Sequence, residues 1–137
     1  MKLSDNQSSF LVKREMDIFQ VIELTENIAR NMGFRNEETL FLKLVIEEAC
    51  MNAYEYCQKT DQDVFQVRWS LTSELLDICI KHKGEIFPIA EEPKELNHGN
   101  RGRGLQLIKH IMDEVKVMKN GDYVELFMKK MISVNDV

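Results

Sequence analysis

The sequence predicts an α+β domain, a two-layer sandwich in which helices cover one face of a mostly antiparallel mixed sheet. Two observations predict it. Segments of period two and segments of near-helical period follow one another in the order β-α-α-β-β-α-β-β, and the central two strands are joined by a link too short for anything but an antiparallel turn. The 137 residues, 44% hydrophobic and 30% charged, suffice for a single core spanning 1–137 and not for a second full domain.

Taken in order, "SSFLVKR" at 8–14 predicts a short first strand. Residues 17–32 carry Ile18, Val21, Ile22, Ile28 and Met32 at helical spacing and stop at Gly33. A longer helix is expected over 36–58, capped by Asn36, with Glu37 and Glu38 in the first turn where the helix dipole favours negative charge. "VFQVRWSL" places Phe65, Val67, Trp69 and Leu71 on one face, and "ELLDICIKHKG" repeats the pattern with Leu76, Ile78 and Ile80. Residues 85–102 hold both prolines without sustained periodicity, a loop long enough to act as a lid. Leu105, Ile108, Ile111 and Met112 then mark a third helix starting near Arg103, and "VKVMKNGDYVELFMKK" predicts a hairpin turning at Asn120-Gly121.

Composition excludes several function classes. A net charge of -5 argues against nucleic acid as a direct partner, because phosphate-backbone binding needs a concentrated basic surface. No apolar run is long enough to span a bilayer and the first residues lack a signal-peptide pattern, so no membrane partner and a cytoplasmic location are expected. Cys50, Cys57 and Cys79 form no CxxC pair and read as reduced core thiols, and His82, His98 and His110 share no ligand spacing.

The chemistry-bearing residues fall in two stretches. On the long helix an apolar row of Phe41, Leu44 and Val45 continues into Glu48, Met51, Asn52 and Glu55. Glu48 and Asn52 stand one turn apart, able to enter one cleft; an asparagine oxygen suits Mg²⁺, which takes few protein ligands, and a glutamate can accept a proton beside it. A solvated helix face is the bland alternative. In "GNRGRG" at 99–104, Gly102 and Gly104 let backbone N–H groups approach a phosphate, with the following helix presenting its positive end. A mobile turn is the alternative here. No GK[ST] follows, so this is no Walker loop.

Together, a helix with "EEACMNA", a strand ending in "KHKG", a long loop, "RGRGLQLIKHIMDEV" and a last hairpin resemble the GHKL (Bergerat-fold) ATPase superfamily, and within it the small anti-sigma-factor serine/threonine kinases of bacterial partner-switching. The resemblance covers about residues 8–130. It implies ATP and Mg²⁺ as cofactors, Asn52 as the Mg²⁺ ligand, Glu48 as the catalytic carboxylate, and Arg101, Gly102, Arg103 and Gly104 as the glycine box that closes over the triphosphate. The lid becomes 85–101. It also implies a sigma factor or an anti-anti-sigma (STAS) protein as partner, phosphorylation of a partner serine, and a homodimer through the first strand and helix. Two departures stand out. His82 replaces the aspartate that hydrogen-bonds the adenine amino group, and Ile86 replaces the second glycine of a box whose first is kept as Gly84. Neutral imidazole supplies one acceptor and protonated imidazole none. The rival reading is a degenerate module of the same fold that regulates by contact without ATP.

Overall fold

The computed structural model describes residues 6–84 and 100–133, with backbone alone for 100–103. The elements are β1 (Gln7–Val12), α1 (Asp17–Met32), α2 (Asn36–Lys59), β2 (Phe65–Leu71), β3 (Leu75–Lys83), α3 (Asn100–Ile111), β4 (Glu114–Asn120) and β5 (Tyr123–Met131), in the predicted order. The strands form one sheet, β1-β2-β3-β5-β4. All four pairings are antiparallel, so the mixed character expected of the sheet is not found among the described residues.

Alternation in β2 and β3 sends Phe65, Val67, Trp69, Leu76, Ile78 and Ile80 to the inner face, where they meet Leu42, Val45, Ile46 and Ala49 of α2 and Ile108 of α3. Burying a side chain of the Val, Leu or Ile class contributes roughly 1.5–3 kcal/mol, which makes this layer the main source of stability. Trp69 donates its indole N–H to Thr25 Oγ1 at 3.0 Å, and that hydroxyl donates to the Val21 carbonyl at 2.8 Å, so the polar atoms joining α1 to the sheet are satisfied. No helix among the described residues is long and apolar enough to cross a membrane.

Several sequence expectations shift. The first strand ends at Val12, because Asp17 accepts from the backbone N–H groups of Lys13 and Arg14 and turns the chain into α1. The cap of α2 is Arg35 rather than Asn36, with Glu38 Oε1 accepting from the Arg35 N–H at 3.2 Å. Gly33, at φ 100°, closes α1 as expected. The two-residue hairpin loop is Gly121-Asp122, one position beyond the expected turn, because Asn120 still pairs with Tyr123. On α2, Phe41 and Leu44 are 39% and 42% exposed, and the buried face runs through Thr39, Leu42, Val45, Ile46, Ala49, Cys50, Asn52, Ala53 and Cys57. The helix packs on both α1 and the sheet, so its apolar face is broad and lies beside the row the sequence suggested. Asn52 lies on the buried face and Glu48 is half-buried.

Candidate functional site

Five elements converge on one small cavity. Ala49, Asn52 and Ala53 of α2 form one wall, Ile80 and His82 of β3 with Val124 and Leu126 of β5 form the floor, and Leu105 of α3 and Val117 of β4 close it. The alanines let α2 approach the sheet, and the strand alternation that buries Ile78 and Ile80 also carries His82 inward at the end of β3. Asn52 and His82 are 7% and 5% exposed, polar side chains in a chamber whose other described lining residues are apolar. Its volume is about 30 Å³, space for a water or two but not for a purine.

His82 is held closely. Its Nδ1 lies 2.9 Å from the Lys83 carbonyl, and because a carbonyl only accepts, Nδ1 carries the hydrogen. The Tyr56 ring packs against the imidazole with centroids 4.7 Å apart, tilted by 47°. Burial lowers the His82 pKa from its ordinary value, only partly opposed by the bond to the Lys83 carbonyl, so the ring is neutral at neutral pH. Gly84 follows at φ 126°, and a Cβ there would stand 2.9 Å from Tyr56 Cε2 and 3.0 Å from Cζ. Tyr56 thus packs against both His82 and Gly84 at the end of β3.

At the other end, the Glu48 side chain lies against Gly104, where a Cβ would overlap its Cγ, Cδ and Oε2. The helix carrying Gly104 begins at Asn100, so "RGRG" forms the first turns of α3, and the glycine loop expected before the helix is instead part of it. Glu48 therefore sits beside the N-terminal half of α3, where helix polarity favours an anion. The side chains of Arg101 and Arg103, the surroundings of Gly102, and lid residues 85–99 lie outside the described parts of the structure. The structure brings together Glu48, Asn52, His82, Gly84 and Gly104.

Two features carried no sequence signal. Gln62, in the turn after α2, donates to the Lys83 carbonyl at 2.7 Å from twenty-one positions away. Leu105, Val117, Val124 and Leu126 read as ordinary core positions until the sheet order places them around Asn52. The thiols of Cys50, Cys57 and Cys79 are free and buried; burial raises all three, Cys57 and Cys79 to about 11, which leaves them poor nucleophiles.

Comparison with known proteins bears on the family and the fold. A family model described as histidine kinase-like ATPase domain matches residues 13–130. The serine-protein kinase RsbW of Bacillus licheniformis is 32% identical over 110 residues, 71% of this chain and 68% of that protein. RsbW of Bacillus subtilis is 26% identical over 145 aligned positions, 97% of this chain and 90% of that protein. In three dimensions the chain is similar to a chain in the crystal structure of the SiaB-SiaC complex from Pseudomonas aeruginosa, with a TM-score of 0.62 over 91% of this chain and 88% of that one; at 12% identity this likeness bears on the fold alone.

Proposed function

The chain belongs to the histidine kinase-like ATPase domain family, and from that premise we propose that it binds Mg²⁺-ATP between α2, α3 and the sheet and phosphorylates a serine on a regulatory partner protein. One observation carries the reading: Asn52 and His82 line the same cavity, and Glu48, one turn before Asn52, contacts the residue that precedes Leu105 in its wall. That the relatives are named serine-protein kinases supports a seryl acceptor.

In this mechanism Asn52 would hold Mg²⁺ through its side-chain oxygen, and the metal would supply charge neutralisation to the triphosphate. His82 would face the base, and backbone N–H groups at the start of α3 would face the phosphates. Glu48 accepts the proton of the attacking serine hydroxyl as its oxygen bonds to the γ-phosphorus and the bond to the departing ADP oxygen breaks. The donor set fits the nucleotide, whereas a cavity of about 30 Å³ does not hold a purine, so on this reading the cavity widens when ATP enters. The partner in this proposal is an anti-anti-sigma (STAS) protein, with a sigma factor as second contact, in a cytoplasmic switch whose subunits pair through β1 and α1.

The test is calorimetric titration with ATP and Mg²⁺, followed by phosphotransfer to a seryl partner. Binding at micromolar to millimolar nucleotide and a loss of about 10²–10⁴-fold in transfer for Glu48→Gln are expected. Absence of any binding heat at millimolar nucleotide overturns the kinase reading. Two observations favour the second reading, a contact-only module: His82 where the family has aspartate, and a cavity of about 30 Å³. Under it, His82→Asp creates or strengthens ATP binding, while a site adapted to histidine loses affinity.

A further inference from the structure

Helix α2 carries apolar side chains in two places. One set is buried against the sheet and the neighbouring helices; the other, Leu40, Phe41 and Leu44, stands on the outer crest at 54%, 39% and 42% exposure. Spacings of three and four residues put these side chains in one row, and the row continues into Glu48, roughly 6 Å along the helix from Leu44. Single exposed apolar residues are ordinary on a protein surface, but several in one row form a contiguous patch, which marks a contact surface.

The free charges that flank the row on α2 are of one sign. Lys43 is held by Glu26 at 3.0 Å, Arg30 by the same carboxylate at 3.0 Å, and Arg35 faces Glu38 at 3.9 Å, so the nearby cations are already paired. Glu37, one turn before Phe41, and Glu47, one turn after Leu44, are exposed and have no ion pair among the described residues. Two such crests brought together about a two-fold axis would set glutamate against glutamate, so a second copy of the chain is the poorer occupant.

We infer that the outer crest of α2 is the docking face for the protein partner, and that the partner meets it with apolar side chains over Leu40, Phe41 and Leu44 and with lysine or arginine opposite Glu37 and Glu47. The apolar row supplies affinity, and the glutamates supply orientation and association rate. A partner seated there carries its serine along the row toward Glu48. That last step rests on the proposed phosphotransfer, whereas the docking face does not.

The test titrates the full chain with two synthetic amphipathic helices, one of leucine and lysine and one with glutamate in place of every lysine, read by ¹⁵N amide spectra. Steady-state phosphotransfer to the seryl partner runs alongside. The leucine-lysine helix is expected to shift amides within 37–48, to bind about tenfold or more weakly when Leu40→Ser and Leu44→Ser are combined, and to lose its salt dependence when Glu37→Gln and Glu47→Gln are combined. With the partner, the double serine variant raises KM about tenfold or more while kcat and ATP affinity keep their wild-type values. Shifts centred elsewhere, equal binding of the two helices, or an unchanged KM overturn the inference and leave the nucleotide site standing. So does self-association of the wild type that the double serine variant abolishes, which makes a second copy the occupant. A shift of the Leu40 and Leu44 amides on removal of residues 134–137 assigns the crest to the chain's own end and overturns it likewise. If wild type binds no ATP, the kinase reading falls and the helix titration alone decides the docking face. The spectra show whether each variant is folded.

Discussion

The carboxylate of Glu48 occupies the space that a β-carbon on Gly104 would need. The neighbour is the end of a flexible side chain, so adding the methyl group displaces the carboxylate rather than the helix. Strain of about 1 kcal/mol or more is set against the roughly 1 kcal/mol that alanine gains over glycine inside a helix. Gly104→Ala is therefore expected to leave stability within about 1 kcal/mol of wild type, and, on the proposed role of Glu48 as base, to lower phosphotransfer about 10²-fold or more because the carboxylate has moved. In a Glu48→Ala background the same substitution has only the helix gain and stabilises by about 1 kcal/mol. A double-mutant cycle from urea unfolding measures the difference between the two backgrounds, and equal effects in both contradict the contact.

Asn52 is nearly buried among alanines and aliphatic side chains, and its amide is the polar group of α2 that lines the cavity. If it holds Mg²⁺, Asn52→Ala makes ATP affinity insensitive to Mg²⁺, with a loss on the order of tenfold at saturating metal. Titrations with and without the metal decide it, and an unchanged Mg²⁺ dependence refutes the assignment.

His82 gives a pH dependence whose sign is fixed by burial. Its pKa is lowered in the folded chain from the ordinary value of 6.5, so as pH falls below 6.5 the unfolded chain takes up a proton that the folded chain refuses. Its contribution to stability is thus intact above 6.5 and is lost progressively as pH falls toward the folded value, at up to about 1.4 kcal/mol per pH unit. His82→Gln should flatten this part of the stability profile, measured by denaturant unfolding between pH 7 and 5. If the slope persists in the variant, another group is responsible.

How much of this was legible in the sequence follows from how local each signal is. Element order and the buried faces of β2 and β3 depend on period-two alternation, and Gly33 on a single left-handed residue; all are local and were readable. Helix α2 packs on two sides, so its buried face is broad, and the row through Phe41 and Leu44 pointed to its edge. The start of α3 was misplaced because glycines at 102 and 104 signal a loop by propensity, whereas Gly104 is required within the helix by Glu48, a partner 56 positions earlier. The clamp from Gln62 to Lys83 is a contact across 21 positions between a turn and a strand end. No pattern in either segment encodes it.

Gly84 combines two demands, a φ of 126° and the Tyr56 ring within 3.0 Å of an added Cβ. Gly84→Ala is expected to destabilise by about 2–3 kcal/mol, part from the backbone and part from the ring. In a Tyr56→Ala background the ring contribution disappears and the remaining cost is about 1 kcal/mol. Equal costs in both backgrounds, read by thermal unfolding, contradict the packing described here.

The bond from Trp69 to Thr25 offers a test of how α1 is fixed to the sheet. Both side chains are buried, at 1% and 0% exposure, and the Thr25 hydroxyl serves as acceptor from the indole and donor to the Val21 carbonyl. Thr25→Val keeps the shape and removes both bonds. The indole N–H is then left in an apolar interior, a cost of about 1–3 kcal/mol. Thr25→Ser keeps the hydroxyl and loses one methyl group, about 1 kcal/mol. Trp69 is the chain's single tryptophan, so its emission reports directly on this site. Thr25→Val should shift the emission to shorter wavelength through loss of the polar partner and lower the unfolding midpoint more than Thr25→Ser does. The reverse order of the two variants would show that the methyl group, rather than the hydroxyl, holds α1 in place.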